Sequence, residues 1–141
     1  MRKTGQQIED DVFDLVQDSE LSSFVKGKIY KEGTRPVDSE NEDAIVSFKT
    51  GLDTQFQQGE LTLNIYVPDI DNGGKILVKD IARCREIESK ADSIVRTFTS
   101  SEYLFFLGGI PQTFQFQSEN TKVKQHFVNI KLRFSRNSVF N

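Results

Sequence analysis

"ELTLNIYV", residues 60–67, alternates without a break: Leu61, Leu63, Ile65 and Val67 fall on one side, Thr62, Asn64 and Tyr66 on the other. A period of two, rich in β-branched and aromatic residues, is the pattern of a strand with one buried face. Pro68 ends it, since proline cannot donate to a sheet ladder. "KQHFVNIKLRFSR", 124–136, has the same period and turns Val128, Ile130, Leu132 and Phe134 inward. "AIVSF", 44–48, reads as a short apolar strand and "FVKGKIYK", 24–31, as β-like. "EYLFFLGG" and "TFQFQ" read as short strands around a turn at Gly108, Gly109, Ile110 and Pro111. "GLDTQFQQG", 51–59, reads as a polar turn region bounded by glycines. Asn120 and its neighbours make the turn before the last strand.

Two segments carry the other period. In "DIARCREIESKADSIVRTF", 80–98, Ile81, Cys84, Ile87, Ala91, Ile94, Val95 and Phe98 share one helical face, with Asp80 placed to cap it. From Thr4 to Asp18, Ile8, Val12, Leu15 and Val16 form a second such face, with Phe13 beside it and Thr4 as N-cap. The order is helix, strands, long helix, strands, with no βαβαβ alternation. The spacing predicts an α+β fold, a mixed or mostly antiparallel sheet of about four to six strands with two main helices on one face. At 141 residues the chain fits a single domain, 1–141, large enough to bury a core.

Composition narrows the function classes. With 36% hydrophobic and 28% charged residues the chain should fold rather than stay disordered. A net charge of −3 argues against a dedicated nucleic-acid binder. The single Cys allows neither an internal disulfide nor a cysteine-based zinc cage. Acids follow Arg2 and Lys3 where a signal peptide needs an apolar run, and no stretch is apolar enough to span a membrane. The expectation is a protein made in the cytoplasm. Charge is uneven along the chain. Residues 1–20 are mostly acidic, whereas 122–136 hold Lys122, Lys124, Lys131, Arg133 and Arg136 and no acid. Complementary ends of this kind can steer head-to-tail self-association; alternatively both are ordinary solvated faces.

Four places invite a chemical reading. The first is the loop Gly33–Asp43, where Arg35 and Pro36 precede Asp38, Glu40, Glu42 and Asp43. Clustered carboxylates can serve as general acid and base or bind a hard cation. Here they lack a glycine scaffold, a nearby His and apolar surroundings, so a solvated loop with a weak surface bridge to Arg35 is expected. The second is "DIDNGGKILVKD", 69–80, which places Asp69, Asp71 and Gly74 at EF-hand positions. It has Gly73 and Asp80 where an acid and a Glu belong, and no helix before it. A strand-to-helix loop is the reading, with Asn-Gly-Gly supplying positive φ. The third is the pair His126 and Cys84, both placed by phase on apolar faces and read as structural. "GGK", 73–75, is no phosphate loop, and no G-x-S-x-G occurs. The fourth is the outer side of the last strand. Phe127, Asn129, Lys131 and Arg133 face one way and suit a subunit interface, or stacking and phosphate contacts with nucleic acid.

One longer pattern crosses these elements. "GKIYKEGTRPVDSENEDAIVSFKTG", 27–51, followed by "QFQQGELTLNIYVPDI", 55–70, resembles small proteins from the neck and tail-completion part of tailed-phage and prophage morphogenesis clusters. The shared look is Gly27, Ile29, Tyr30; then Arg35, Pro36, Ser39, Glu42, Asp43; then Asn64, Ile65, Tyr66, Val67, Pro68, Asp69. The resemblance implies a small α+β tail-terminator or tail-completion subunit that catalyses nothing and needs no cofactor or metal. Such subunits form rings, often hexamers, that stop tail-tube growth and join the tail to the head. It further implies assembly in the host cytoplasm, a place in the virion neck, and tail-tube and head-completion proteins as partners. The interface candidates are Arg35, Asp38, Glu42, Asp43, Phe127, Lys131 and Arg133. Two alternatives stand beside this reading. One is a small nucleic-acid- or protein-binding module using the basic C-terminal strand. The other is a metal-dependent enzyme using Asp38, Glu42, Asp43 or the Asp69–Asp80 loop.

Overall fold

The computed structural model describes residues 2–119 and 122–137. Its elements run α1 (Gly5–Asp18), α2 (Leu21–Phe24), β1 (Ile29–Lys31), β2 (Ala44–Asp53), β3 (Phe56–Pro68), β4 (Ile70–Asp71), β5 (Leu77–Val78), α3 (Ile81–Val95), β6 (Tyr103–Leu107), β7 (Gln112–Gln115) and β8 (Gln125–Asn137). This is the α+β class that the periodicity predicts. The turn assigned to Asn120 lies outside the described residues.

The main sheet has the order β1-β2-β3-β8-β6, with β7 also on β8. Every pairing in it is antiparallel except β1 with β2, which is parallel and aligns Ile29 with Ala44. A parallel neighbour needs a crossover rather than a hairpin. Residues 32–43 supply it, and that requirement makes the Gly33–Asp43 loop long. Strands β6 and β7 do not pair with each other. Both run along the same edge of β8, Leu107 opposite Leu132 and Gln112 opposite Asn129. Residues 108–111 loop out opposite Ile130 and Lys131, so the expected turn is a break within one edge strand. Such a break makes a poor template for a further strand. Gly108 sits closely there, since a Cβ would lie 3.1 Å from Lys131 Cβ and 3.2 Å from Glu60 Oε2.

Both long helices cover one face. Ile8, Val12 and Val16 of α1 lie over β1 and β2, while Cys84, Ile87, Ala91, Ile94 and Val95 of α3 lie over β8 and its neighbours. They meet Ala44, Val46, Leu61, Leu63, Ile65, Val67, Val128, Ile130, Leu132 and Phe134 in one continuous core. Thr4 caps α1 through a capping box with Gln7, and the Asp80 carboxylate accepts from Arg83 N at 3.1 Å to cap α3. Ile81, expected on the buried side of α3, is its first residue and stays exposed. No helix among the described residues is long and apolar enough to cross a membrane.

Two local expectations are corrected. Residues 51–59 are not a separate turn region but the end of a long β2–β3 hairpin, in which Gly51 pairs with Gly59. A Cβ on Gly59 would lie 2.1 Å from Thr50 O, so these glycines permit close strand approach, not a loop. In 24–31 only Ile29–Lys31 is a strand, and Phe24 closes the short helix α2.

Candidate interface: the Arg35 loop and the open sheet face

The crossover loop ends against the body of the molecule, and this overturns the expectation of a solvated carboxylate cluster. Glu42 and Asp43 are buried, whereas Asp38 and Glu40 are exposed. The side chains of Arg35 and Asp43 are 6% and 1% exposed, with Nε to Oδ2 at 3.1 Å. Asp43 Oδ2 also accepts from Ser39 Oγ at 2.6 Å, and Oδ1 accepts from Lys28 N at 2.9 Å. Burial pushes this carboxyl up, but the donors Ser39, Lys28 and Arg35 outweigh it and hold it below the ordinary aspartate value. The Arg35 guanidinium donates on to Asn41 O and to Gln125 Oε1, each at 3.1 Å, and stacks 4.2 Å from the Tyr66 ring centre. Gln125, 2% exposed at the start of β8, returns a bond from Nε2 to Asn41 O.

Glu42 is held as firmly. Arg83, from the first turn of α3, donates to both its oxygens at 2.8 Å and to Phe24 O at 2.9 Å. Hydrogen bonding to Glu42 raises the Arg83 pKa further above the ordinary arginine value. Gly27 makes room for this arrangement, since a Cβ there would stand 2.2 Å from Asp43 Oδ1 and 2.6 Å from Glu42 O. The spacing of Gly27, Arg35, Ser39, Glu42 and Asp43 is therefore that of a structural clasp. It fastens the crossover to the end of the sheet and to α3. Of the loop's four candidate interface residues, only Asp38 is presented to solvent.

The other three candidates lie on the sheet face away from the helices. This outer face carries Ile45, Ser47, Glu60, Thr62, Asn64, Tyr66, Leu104, Phe106, Phe114, Phe127, Asn129, Lys131 and Arg133. Neither long helix packs on it. Phe127 sits between Tyr66 and Phe114, ring centres 5.6 and 5.7 Å away, and Phe116 meets Tyr66 edge-on at 4.9 Å. Asn129 donates to Asn64 at 2.7 Å. Lys131 and Arg133 are exposed, Arg133 lying 3.6 Å from Glu60. Leu104, Phe106 and Phe114 are 67%, 47% and 45% exposed. At the Tyr66 end a groove of about 610 Å³ opens between Glu32–Asp38 and Phe116–Glu119, floored by Ile45 and Tyr66.

Part of the uneven charge is neutralised inside the chain. Lys3 bonds Asp11 at 2.6 Å and Glu102 at 2.9 Å, and Glu102 accepts from Arg136 at 2.8 Å. Lys3 and Arg136 hold Glu102 below the ordinary glutamate value. Tyr103, its pKa raised by burial and by its bond to Asp11, completes the group. Arg136, 2% exposed, thus belongs to an internal network and not to the outer face. Glu9 is buried as well, accepting from Phe48 N at 3.0 Å beside the register shift between Phe48 and Thr50. Helical phase places Glu9 next to Ile8 and Val12, but nothing in its own segment points to a distant amide needing an acceptor.

The remaining chemical candidates have structural duties. His126 bonds Asp69 at 2.7 Å. Asp71 accepts from Gly73 N at 2.8 Å and Asp80 caps α3, so the three acids of 69–80 point to separate tasks. Gly73 has φ +98°, as the Asn-Gly-Gly turn requires, and the segment also contains the small β4–β5 hairpin. Burial pushes the Cys84 thiol up to about 11. No group of three or more His, Cys, Asp and Glu able to hold a metal ion occurs among the described residues. No protein-family model matches the sequence, and no curated protein matches it.

Proposed function

We propose that this protein is a non-enzymatic assembly subunit of tailed-phage or prophage morphogenesis. It acts as a tail-terminator or tail-completion protein that self-associates into a ring at the head–tail junction. It assembles in the host cytoplasm, and its partners are tail-tube and head-completion proteins. The observation that carries the assembly role is the sheet face left open by both helices, where Leu104, Phe106 and Phe114 stand exposed beside Lys131 and Arg133. Exposed aromatic and aliphatic side chains beside exposed cations suit an interaction surface. The phage setting rests on the resemblance of 27–51 and 55–70. The engagement of Glu42, Asp43, His126 and Cys84 within the fold supports a non-catalytic reading. Light scattering across protein concentrations, with negative-stain images of any large species, tests it. Closed rings, alone or with tail-tube protein added, support the proposal; a monomer under both conditions overturns it.

A second reading uses the same face. Lys131 and Arg133 beside Phe106 and Phe127 could bind single-stranded nucleic acid by phosphate contact and stacking. Titration with labelled oligonucleotides at several salt concentrations separates the two, because such binding weakens steeply as salt rises.

A further inference from the structure

The two edges of the main sheet are guarded differently. At one, β1 is short, with Lys31 in it and Lys28 just before it, and where β2 runs past β1 the buried Glu9 accepts from Phe48 N at 3.0 Å. Shortness, lysines and capped amides are the usual protections of a sheet edge. At the other edge β6 reads Tyr-Leu-Phe-Phe-Leu, without a charge, a proline or a glycine. The break at 108–111 denies this edge to a long strand but leaves Tyr103–Leu107 itself open. Beside it an open groove of about 750 Å³ lies between Phe106 and Leu107 on one side and Asp92 and Arg96 of α3 on the other.

The hydrogen-bond phase of β6 fixes which groups face outward. Gly108 N donates at 2.8 Å to O of Lys131, the residue next in line opposite it, so the even-numbered positions exchange bonds with β8. The N–H and C=O groups of Tyr103, Phe105 and Leu107 therefore point away from β8. Ser100 Oγ takes Tyr103 N at 3.2 Å, whereas the amides of Phe105 and Leu107 have no partner among the described residues. On the outer face of the same strand Leu104 and Phe106 are 67% and 47% exposed.

We infer that β6 pairs antiparallel with β6 of a second copy, about a twofold axis that passes through Phe105 perpendicular to the sheet. A strand paired with itself must match outward groups with outward groups, which admits centres at Leu104, Phe105 or Phe106. A centre at Leu104 sets Glu102 against Phe106, and a centre at Phe106 draws Gly108 and the break into the ladder. Only the centre at Phe105 pairs the whole of Tyr103–Leu107 and nothing else. Phe105 N–H then donates to Phe105 C=O of the other copy, and Leu107 N–H to its Tyr103 C=O, each bond repeated by the twofold. Leu104 lies opposite Phe106 of the other copy, and Phe106 opposite its Leu104. These are the non-hydrogen-bonded positions, ~4.5 Å between Cα atoms, where side chains approach most closely. The two exposed apolar side chains of the strand thus cover each other, and their neighbours on β8 are Ser135 and Arg133, so no like charges meet. A second copy suits the edge because it brings a strand equally apolar and of equal length, which ends where the break begins. The pairing does not depend on the ring; it makes the building block a dimer.

Charges placed at Leu104 and Phe106 test the pairing and its register. Both side chains are on the surface, so the variants should keep the natural melting temperature. Leu104→Lys with Phe106→Lys sets like charges opposite each other across the ladder; Leu104→Lys with Phe106→Glu sets opposite charges there. By light scattering across concentrations the natural chain is expected to dimerise. The first variant should lose affinity by about tenfold or more, and the second should bind about tenfold or more tighter than the first, with a gap that narrows as salt rises. A natural chain that stays monomeric at high micromolar concentration overturns the pairing, as does a dimer that the first variant leaves unweakened, or equal affinities for the two variants. Dimers that respond as expected without any ring support the pairing and not the ring. Rings indifferent to both variants, with no dimer, overturn the pairing and leave the ring reading intact.

Discussion

At the residue scale the clasp around Asp43 is the most constrained part of the molecule. Removing one partner of a buried pair leaves the other charge without compensation. Arg35→Leu is therefore expected to cost about 3–5 kcal/mol of stability in denaturant unfolding. Arg35→Lys should recover only part of it, because an ammonium cannot reach Asp43, Asn41 O and Gln125 together while stacking on Tyr66. Gly27→Ala should cost about 1–3 kcal/mol by forcing the loop away from its site. If unfolding of either variant matched that of the natural chain, the clasp would not hold the loop as described. Thr62 offers the opposite case. Its hydroxyl is buried on the outer side of the sheet without a hydrogen-bond partner among the described residues. Thr62→Val keeps the shape and removes that group, so stability should be unchanged or higher by about 1 kcal/mol. A clear loss would reveal a partner for the hydroxyl.

At the element scale, α1 is held at its N-terminus and along its buried side. Thr4 caps it, with Thr4 Oγ1 accepting from Gln7 N and Gln7 Oε1 accepting from Thr4 N at 2.9 Å. Thr4→Ala should lower stability by about 1 kcal/mol, read as a shift in the denaturant midpoint with no change in its slope. The other end has Asp14 and Asp18 near the negative pole of the helix dipole and no basic residue in the last turn, which favours fraying there. Hydrogen exchange should therefore be faster in the last turn of α1 than in its middle turns. The edge strand shows the same interplay. Tyr103–Leu107 and Gln112–Gln115 each match β8, and only the Gly-Gly-Ile-Pro break between them keeps the edge from being one continuous ladder.

For the whole molecule the relevant quantity is the pH dependence of folding. Asp43 and Glu102 are both held below their ordinary pKa values, so each binds fewer protons folded than unfolded. Their contribution is complete above about pH 5 and is lost as pH falls through about 4 toward the lower folded-state values. Denaturant midpoints between about pH 2 and 7 should fall steeply at the acid end. Asp43→Asn should be less stable at neutral pH, because Arg35 is left unpaired, yet lose less on acidification. An unchanged acid slope in that variant would remove Asp43 from the account. The internal linkage of Lys3, Asp11, Glu102 and Arg136 also shows that Asp11 is neutralised by Lys3 and Arg136 by Glu102 within one chain, so neither contributes to a charged patch.

Periodicity carried most of the architecture. The alternation of 60–67 and 124–136 and the helical spacing of 80–98 and 4–18 mark the core strands and both long helices, because one buried face imposes its own repeat on the chain. The caps Thr4 and Asp80 were legible for the same local reason. What periodicity does not encode is which distant segments meet. That β1 lies parallel to β2, and so needs a long crossover, is a fact of sheet order. Only this order brings Arg35 to Gln125 and Tyr66, and Glu42 to Arg83, turning an apparently solvated acidic loop into a buried clasp. Glu9, Arg136 and Gln57 were hidden likewise, since the groups they bond lie far along the chain. Sequence by itself determined the elements and the α+β class, through local patterns of burial and capping. Tertiary structure alone decided which charges are neutralised within the fold and which sheet face stays open, because desolvation and pairing depend on neighbours that only folding supplies.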